Sequence, residues 1–226
     1  FGTSVSLYGD TALIGAEQDD DNDQSNSGSV YVFKAPPPPP PSPPPSPPSP
    51  PSPPPSPPFP PPPPSPPPLF LTSLVEYTTQ SKLYASDAAA SDNFGISVSL
   101  YGDTALIGAI NGDDDSNNKA DSGSVYVFTR SSSDGTFTQQ SKIHAEGDAA
   151  VSDEFGRSVS LYGDTALIGA KIDGSVISIV YVFTRPNADG TFTEQDTLNA
   201  TDAKTNDNFG ISVSLYGDTA LIGTNS

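Results

Sequence analysis

The 226-residue chain has no cysteine, methionine or tryptophan, and its only histidine is His144. Without cysteine it forms no disulfide and offers no thiolate for catalysis or metal binding. His144 has no nucleophile motif near it, so a Ser-His-Asp triad is not indicated. No apolar run approaches the roughly 20 residues that a membrane-crossing helix needs. These absences argue against thiol chemistry, a histidine-based hydrolase and membrane insertion by this segment.

Basic residues are also scarce. Nine lysines and arginines stand against 27 acidic residues, which gives a net charge of -18. Such a surface repels phosphate groups, so nucleic acid and anionic membranes are not expected as partners. The chain opens on Phe1, inside a motif, so we expect the native N-terminus to lie upstream. The lack of a signal peptide is then uninformative.

Proline is confined to one tract. Of 27 prolines, 26 lie within residues 36–68, together with six serines and Phe59. A segment with a fixed φ and few N–H donors adopts polyproline II and does not join a sheet, and it could extend about 100 Å. Three interpretations remain open: a cell-wall interaction arm, a bare spacer or an intron translated by error in the gene model, and an intracellular ligand for profilin, SH3 or WW domains.

The rest of the chain is a repeat. The run FGTSVSLYGDTALIGA at Phe1 returns, nearly unchanged, at Phe94, Phe155 and Phe209. Successive copies are 93, 61 and 54 residues apart, and removing the 33-residue proline tract reduces the first interval to 60. The tract is therefore an insertion into a regular unit.

Each unit has the pattern of four short strands. Apolar residues alternate with serines in residues 4–8, and a Gly9-Asp10 turn predicts a tight hairpin that pairs Tyr8 with Thr11. Both faces of this hairpin are partly apolar, which favours a small sheet between two neighbours. We predict a third strand at 29–33 and its equivalents, and a fourth at 137–143 and 192–198.

These motifs resemble the FG-GAP family, whose repeats build β-propellers such as the head of integrin alpha subunits. The resemblance covers the FG…SVSL segment, LIGA in place of GAP, and the GSVYVF strand. It implies an all-β partial propeller of about fourteen strands in three and a half four-stranded blades, interrupted by a polyproline II segment. It also implies an extracellular or cell-surface scaffold, with further blades or a second copy needed for closure.

One departure from the integrin-type repeat argues against a calcium site between the first two strands. Integrin-type repeats carry an acidic calcium loop between the first two strands, whereas this chain has only Tyr-Gly-Asp-Thr there, so it is closer to the calcium-free variant. The predicted organisation is a first repeat at 1–35 and 69–93 around the insertion at 36–68, a second at 94–154, a third at 155–208 and a partial fourth at 209–226.

Acidic residues cluster instead after the LIGA strand. Several carboxylates in one loop can supply the six to eight oxygens that calcium prefers, although a solvated charged loop is the simpler interpretation. No cofactor is required for the fold, and calcium is the only metal candidate. The candidate ligands in the two loops are Asp19, Asp21, Asp23, Asp113, Asp115 and Asp121.

Two further sequence patterns are paired aspartates and a glycosylation sequon. Pairs of aspartates five residues apart precede each later FG: Asp87 with Asp92, Asp148 with Asp153, and Asp202 with Asp207. They are interpreted as turn residues that bond loop amides, or alternatively as a shared cation site. Asn199-Ala200-Thr201 is a candidate N-glycosylation sequon.

The sequence thus favours a non-catalytic structural or adhesion module, extracellular or at the cell surface, associated with a cell wall or matrix. Its expected partner is a wall or matrix glycan or protein. The serine-proline runs resemble the hydroxyproline-rich glycoproteins of plant and algal walls, including extensins and pherophorins. Two alternatives stay open: a secreted propeller enzyme acting on polysaccharide, and an intracellular scaffold presenting proline motifs.

Overall fold

A computed structural model describes residues 1–20, 24–35, 78–113, 121–145, 153–172, 178–188, 190–202 and 207–225. The predicted polyproline II segment lies outside these residues. Within them all regular structure is β, in fourteen strands. No helix that could span a membrane is found in this described part of the chain. The all-β prediction is confirmed.

Three complete sheets and one partial sheet follow each other along the chain. The first contains β1 (Val5–Tyr8), β2 (Thr11–Ala16), β3 (Ser29–Lys34) and β4 (Thr78–Leu83). The second contains β5 (Ser97–Tyr101), β6 (Thr104–Ala109), β7 (Ser124–Arg130) and β8 (Phe137–Ile143). The third contains β9 (Ser158–Tyr162), β10 (Thr165–Ala170), β11 (Ile179–Thr184) and β12 (Thr193–Leu198). The fourth contains β13 (Ser212–Tyr216) and β14 (Thr219–Gly223).

Every sheet is an antiparallel meander in chain order. The first hairpin has the register that its sequence predicts, with Tyr8 opposite Thr11 and Val5 opposite Ile14. The third and fourth strands of each complete sheet share one irregularity, a register shift after the second valine of the VYVF motif. The four-stranded units therefore share one local design, as the repeated sequence predicts.

The hydrophobic core lies between the sheets. One buried cluster joins the first sheet to the second, with Leu13 and Val32 on one side and Phe94, Val98 and Leu100 on the other. A second cluster joins the second sheet to the third through the equivalent residues, which are Leu106, Val127, Phe155, Val159 and Leu161. Because each inner sheet buries both faces, the chain forms a partial, unclosed, propeller-like stack, and we call each contact between consecutive sheets a joint.

Glycines let the sheets of a joint approach closely. A Cβ on Gly15, in the LIGA motif of the first unit, would lie 2.0 Å from the carbonyl oxygen of Gly95, in the FG motif of the second. Gly95 has a φ of +92°, a backbone conformation that favours glycine. Gly108 faces Gly156 and Gly169 faces Gly210 in the same way.

Serines bond the sheets across every joint. The Ser4 hydroxyl donates to the Gly95 carbonyl, and the Leu100 amide donates to the Ser6 hydroxyl. The next two joints repeat both bonds, at 2.7 Å and 2.9 Å. In the first three units, two serines of the SVSL segment thus carry polar contacts to the next unit, which explains why serine alternates with valine and leucine there.

Candidate functional site

The meander sends alternate connections to opposite ends of each sheet. One end, which we call the turn end, carries the Gly-Asp turns and the connections from the third strand to the fourth. The first sheet shows this directly, because the Ala35 amide, at the end of β3, donates to the Asp10 carbonyl of the turn at 2.8 Å. Ala35, the last described residue before the proline tract, therefore lies at the turn end.

A row of four tyrosines runs along the turn end. Tyr8, Tyr101, Tyr162 and Tyr216 are the last residues of the first strands of the four sheets. Successive ring centroids are 5.1, 4.9 and 5.1 Å apart, with interplanar angles of 51° to 60°. The two inner rings are half-buried, and Tyr8 and Tyr216 are exposed. We call this set the tyrosine row.

The tyrosine row follows from the repeat. In the first strand of each unit, tyrosine lies on the same face as the second serine, which faces the next sheet. Identical strands packed side by side therefore place identical rings next to each other. Burial, then the neighbouring phenols of Tyr162 and Tyr8, raise the pKa of the Tyr101 hydroxyl above its ordinary value.

Arginines connect adjacent units at the same end. Arg130 Nε donates to Asp103 Oδ1 of its own unit at 2.8 Å, and its Nη1 donates to Thr11 Oγ1 of the preceding unit at 2.7 Å. Arg185 repeats the arrangement with Asp164 and Thr104. The planar guanidinium suits this fork-like bridge better than a lysine ammonium would.

A polar cavity opens beside Arg130, between the first and second units. Its volume is about 450 Å³, and its lining includes Asp10, Lys34, Asp103 and the 131–135 loop. The cavity therefore presents carboxylate, ammonium, guanidinium and hydroxyl groups at the turn end. Aromatic rings beside polar groups that can hydrogen-bond form a surface suited to a polyhydroxylated ligand.

Comparison with protein-family models gives one match, described as the FG-GAP repeat. It covers residues 1–33, 77–128, 137–183 and 192–226, most of the chain and each of the four units. The chain belongs to the FG-GAP repeat family. A search of curated proteins found no match.

The geometry also gives a physical reason for the two motifs of the FG-GAP repeat. The FG glycine of one unit and the glycine of the LIGA motif in the unit before it lie face to face in every joint. The FG phenylalanines Phe94 and Phe155 are fully buried in these joints. The tyrosine row and the arginine bridges were not identified from the sequence, although the repeated Tyr-Gly-Asp-Thr and the Thr-Arg pairs were a visible signal for them.

Among the calcium candidates, Asp19 is engaged by neighbouring side chains. Lys82 Nζ lies 2.8 Å from its carboxylate, and the hydroxyls of Ser29 and Tyr31 donate to the same oxygen at 2.6 and 2.8 Å. Bonds from Lys82, Ser29 and Tyr31 lower the pKa of Asp19 to about 2. Asp19 is therefore ionised at neutral pH, and one of its oxygens is already bound by a cation.

Asp113 and Asp121 lie together in the second acidic loop. The Asp121 amide donates to Asp113 Oδ1 at 2.9 Å, and Asp121 has a left-handed φ of +54°. Asp20 accepts from the Asn26 amide in the first loop in the same way, which is ordinary turn chemistry. Asp21, Asp23 and Asp115 lie outside the described residues. Within the described ranges, no three His, Asp or Glu side chains are close enough to hold a metal ion.

Among the paired aspartates before the FG motif, Asp92 bonds the loop backbone, and Asp148 lies outside the described residues. Asp92 is buried, and its Oδ2 accepts from the Ala89 amide at 2.8 Å. Burial, and then the charges of Asp113 and Asp87, raise the pKa of Asp92 to about 6, against the lowering effect of the Ala89 bond. Its partner Asp87 forms an ion pair with Lys142 at 2.6 Å.

The two remaining candidates differ in exposure, since Asn199 is exposed and His144 is half-buried. Asn199, the sequon asparagine, is exposed just after β12, and Thr201 of the same sequon is exposed too. His144 Nδ1 lies 3.4 Å from the Ser124 hydroxyl, which is also 3.3 Å from the Asp113 carbonyl. Ser124 itself is buried in the joint, so it is poorly placed to meet a substrate.

Proposed function

We propose that this FG-GAP repeat chain is a non-catalytic structural or adhesion module, extracellular or at the cell surface, that binds a neutral cell-wall or matrix glycan along the tyrosine row. The observation that carries the proposal is the row itself: four rings about 5 Å apart on one end of the stack. The negative face of an aromatic ring attracts the C–H bonds of a sugar ring. A linear row suits a linear polymer.

Polar groups at the same end support a sugar ligand. Each row tyrosine is followed by a Gly-Asp turn, so aspartates 10, 103, 164 and 218 lie two positions beyond the rings. Carboxylates accept hydrogen bonds from sugar hydroxyls, and Arg130 with the 131–135 loop adds donors in the adjacent cavity. The combination provides stacking area and orientation together.

Charge selects among glycans. With a net charge of -18, the protein repels acidic polymers such as uronic-acid or sulfated chains. A neutral polysaccharide meets no such barrier. We therefore propose a neutral glycan as the ligand.

Two sequence features support a location outside the cell. The serine-proline runs of residues 36–68 resemble the hydroxyproline-rich glycoproteins of plant and algal walls. The sequon at Asn199 is exposed and so accessible to a glycosyltransferase. Because Ala35, which precedes the tract, lies at the turn end, an arm anchored in the wall would hold the tyrosine row close to wall polymers.

The test is a pull-down on insoluble neutral polysaccharides, with cellulose, xylan and mannan each measured separately. We expect the chain to bind at least one, and the Tyr101→Ala/Tyr162→Ala variant to lose binding at least tenfold. Tyr84→Ala is the matched control, because Tyr84 is an exposed tyrosine that is not part of the row. Melting curves show whether each variant is folded.

Two results would contradict the proposal. Binding that survives the double substitution, or no binding to any neutral polysaccharide, would remove the tyrosine row as a glycan site. Release of reducing sugars in the same assay would favour the alternative of a secreted enzyme. Binding of profilin, SH3 or WW domains by the intact chain would favour the intracellular scaffold.

A further inference from the structure

Tyrosine rings contact one another only in the tyrosine row, as far as the described part of the chain shows. Tyr31, Tyr126 and Tyr181 contact phenylalanine rings instead. A reaction that needs two adjacent phenols is therefore confined to the row among these residues.

The inner pair of the row, Tyr101 and Tyr162, has the shortest contact. Their ring centroids are 4.9 Å apart and their planes are inclined by 51°. Each ring lies in a complete four-stranded sheet, at the end of β5 or β9. Both side chains are half-buried, so a dissolved oxidant can reach the phenols while the sheets hold the rings together.

Hydrogen bonds across the joint fix the two strands that carry this pair. The Leu161 amide donates to Ser99 Oγ at 2.9 Å, just before the rings. Just beyond them, Arg185 Nη2 donates to Thr104 Oγ1 at 3.1 Å and its Nε donates to Asp164 Oδ1 at 2.9 Å. The rings are thus held side by side before any reaction, which removes most of the entropic cost of bringing two reactants together.

The composition leaves tyrosine as the main target for a one-electron oxidant. The chain has no cysteine, methionine or tryptophan, the side chains that would otherwise compete for oxidation. It also has no means of forming a disulfide. A covalent link between its units therefore requires another pair of side chains.

We propose that Tyr101 and Tyr162 form an oxidative cross-linking site, at which a haem peroxidase with hydrogen peroxide joins the two rings by a carbon–carbon bond. The link is a dityrosine within one chain, and it connects the second unit to the third. This proposal rests on the geometry of the inner pair and is independent of any glycan ligand.

The reaction is a two-electron oxidation of the pair. Each phenol gives one electron and one proton to the oxidant and becomes a phenoxyl radical, whose unpaired electron is shared with the ring carbons beside the hydroxyl. One such carbon of Tyr101 bonds to one of Tyr162. The hydrogen on each bonded carbon leaves as a proton, and a proton from water restores each phenol. The protein loses two hydrogen atoms, and one hydrogen peroxide becomes two water molecules.

The product requires little movement of the strands. Two ring radii and one carbon–carbon single bond of about 1.5 Å separate the ring centroids of a dityrosine. That sum is slightly less than the 4.9 Å between Tyr101 and Tyr162, so the rings have to turn about χ2 while the strands stay in place. Because the two residues are 61 positions apart, the link restricts the unfolded chain as a disulfide would.

The test is oxidation of the dilute whole chain with a haem peroxidase and hydrogen peroxide. We expect dityrosine fluorescence in a product that keeps the mass of one chain. Peptide mapping by mass spectrometry should find the Tyr101 and Tyr162 peptides joined, with two hydrogen atoms lost. The oxidised chain should melt at least about 5 °C higher than the untreated chain.

Two comparisons separate a preformed pair from general tyrosine oxidation. The Tyr101→Phe/Tyr162→Phe variant keeps both rings but breaks up every pair of adjacent phenols in the row, so its dityrosine yield should fall at least tenfold. Tyr84→Phe is the matched control and should leave the yield unchanged, because Tyr84 is exposed and lies outside the row. Wild-type chain oxidised in denaturing urea should lose the Tyr101–Tyr162 link.

Several results would overturn the proposal. These are a folded chain that forms no dityrosine, links found only between chains, or links mapped only to other tyrosines. An unchanged yield in the double variant, or an equal yield of the Tyr101–Tyr162 link in urea, would also overturn it. Melting curves recorded before oxidation show that each variant is folded.

Discussion

The Ser97 hydroxyl donates to the Gly156 carbonyl at 2.7 Å across the joint between the second and third units. The same carbonyl oxygen lies 2.0 Å from the position that a Cβ on Gly108 would occupy. One backbone oxygen therefore receives a hydrogen bond and also excludes a side chain. The spacing between the sheets is set by this pair of contacts, and both recur in each joint.

Gly108→Ala should consequently open the joint between the second and third sheets. The new methyl group would contact backbone, which cannot move aside as a flexible side chain would, so we expect a loss of about 3 kcal/mol in the free energy of unfolding. Urea denaturation followed by circular dichroism measures it. Gly223→Ala is the matched control, because only the Ser212 side chain approaches its Cβ. Equal losses in the two variants would contradict the steric role of the joint.

Asp92→Asn should stabilise the protein at neutral pH. Its pKa of about 6 lies above the ordinary 3.8. Between these two pH values the folded state therefore keeps a proton that the unfolded state has lost. The contribution of Asp92 to stability is therefore present below about pH 4 and is lost as the pH rises through 6. Asparagine can still accept the Ala89 amide without carrying the charge.

The expected advantage of Asp92→Asn is about 3 kcal/mol at pH 7.5, and it should shrink toward pH 4. Chemical denaturation of both proteins across this range measures the difference. Asp207→Asn is the control, because Asp207 holds the same position before the last FG but is only half-buried. An advantage that does not change with pH would show that Asp92 does not titrate in this interval.

Replacement of residues 36–68 by the Ser-Ser-Ser-Asp-Gly-Thr turn of the second unit should maintain or raise the melting temperature. β3 and β4 pair with the same register shift as β7 and β8, so the strands that flank the tract are already correctly matched. The Ala35 amide also bonds Asp10 as the Arg130 amide bonds Asp103. Differential scanning calorimetry measures the change. A fall of more than about 5 °C would mean that the tract packs against the sheets.

Calcium binding, measured by titration calorimetry, should be weak, with a dissociation constant on the order of 10⁻⁴ M. Asp113→Asn/Asp115→Asn should abolish the signal of the second acidic loop. Asp103→Asn in the Tyr-Gly-Asp-Thr turn is the control and should leave it unchanged, because that carboxylate already bonds Arg130 at 2.8 Å. Sub-micromolar affinity that survives the double substitution would place the site elsewhere.

The sequence by itself determined the local structure of each unit. Alternating apolar residues and a Gly-Asp turn specify a strand, its hairpin and its register, because side chains alternate between the two faces of a strand with a period of two. The register of Tyr8 with Thr11 was predicted on this basis and is confirmed. The limits of β8 were predicted from the Ser-Ser-Ser-Asp-Gly-Thr turn before it and are also confirmed. Four near-identical copies also determined that the molecule is a stack of similar sheets.

The tertiary structure decided which side chains meet between units. The tyrosine row depends on the distance and angle between neighbouring sheets, and the bridge from Arg130 to Thr11 spans 119 residues of sequence. Asp19 was predicted as a metal ligand from its acidic neighbours, but its cation in the structure is Lys82, which β4 brings from beyond the proline tract. Local pattern sets where a strand forms, whereas a contact between sheets also requires the packing of two surfaces, which a linear pattern does not contain.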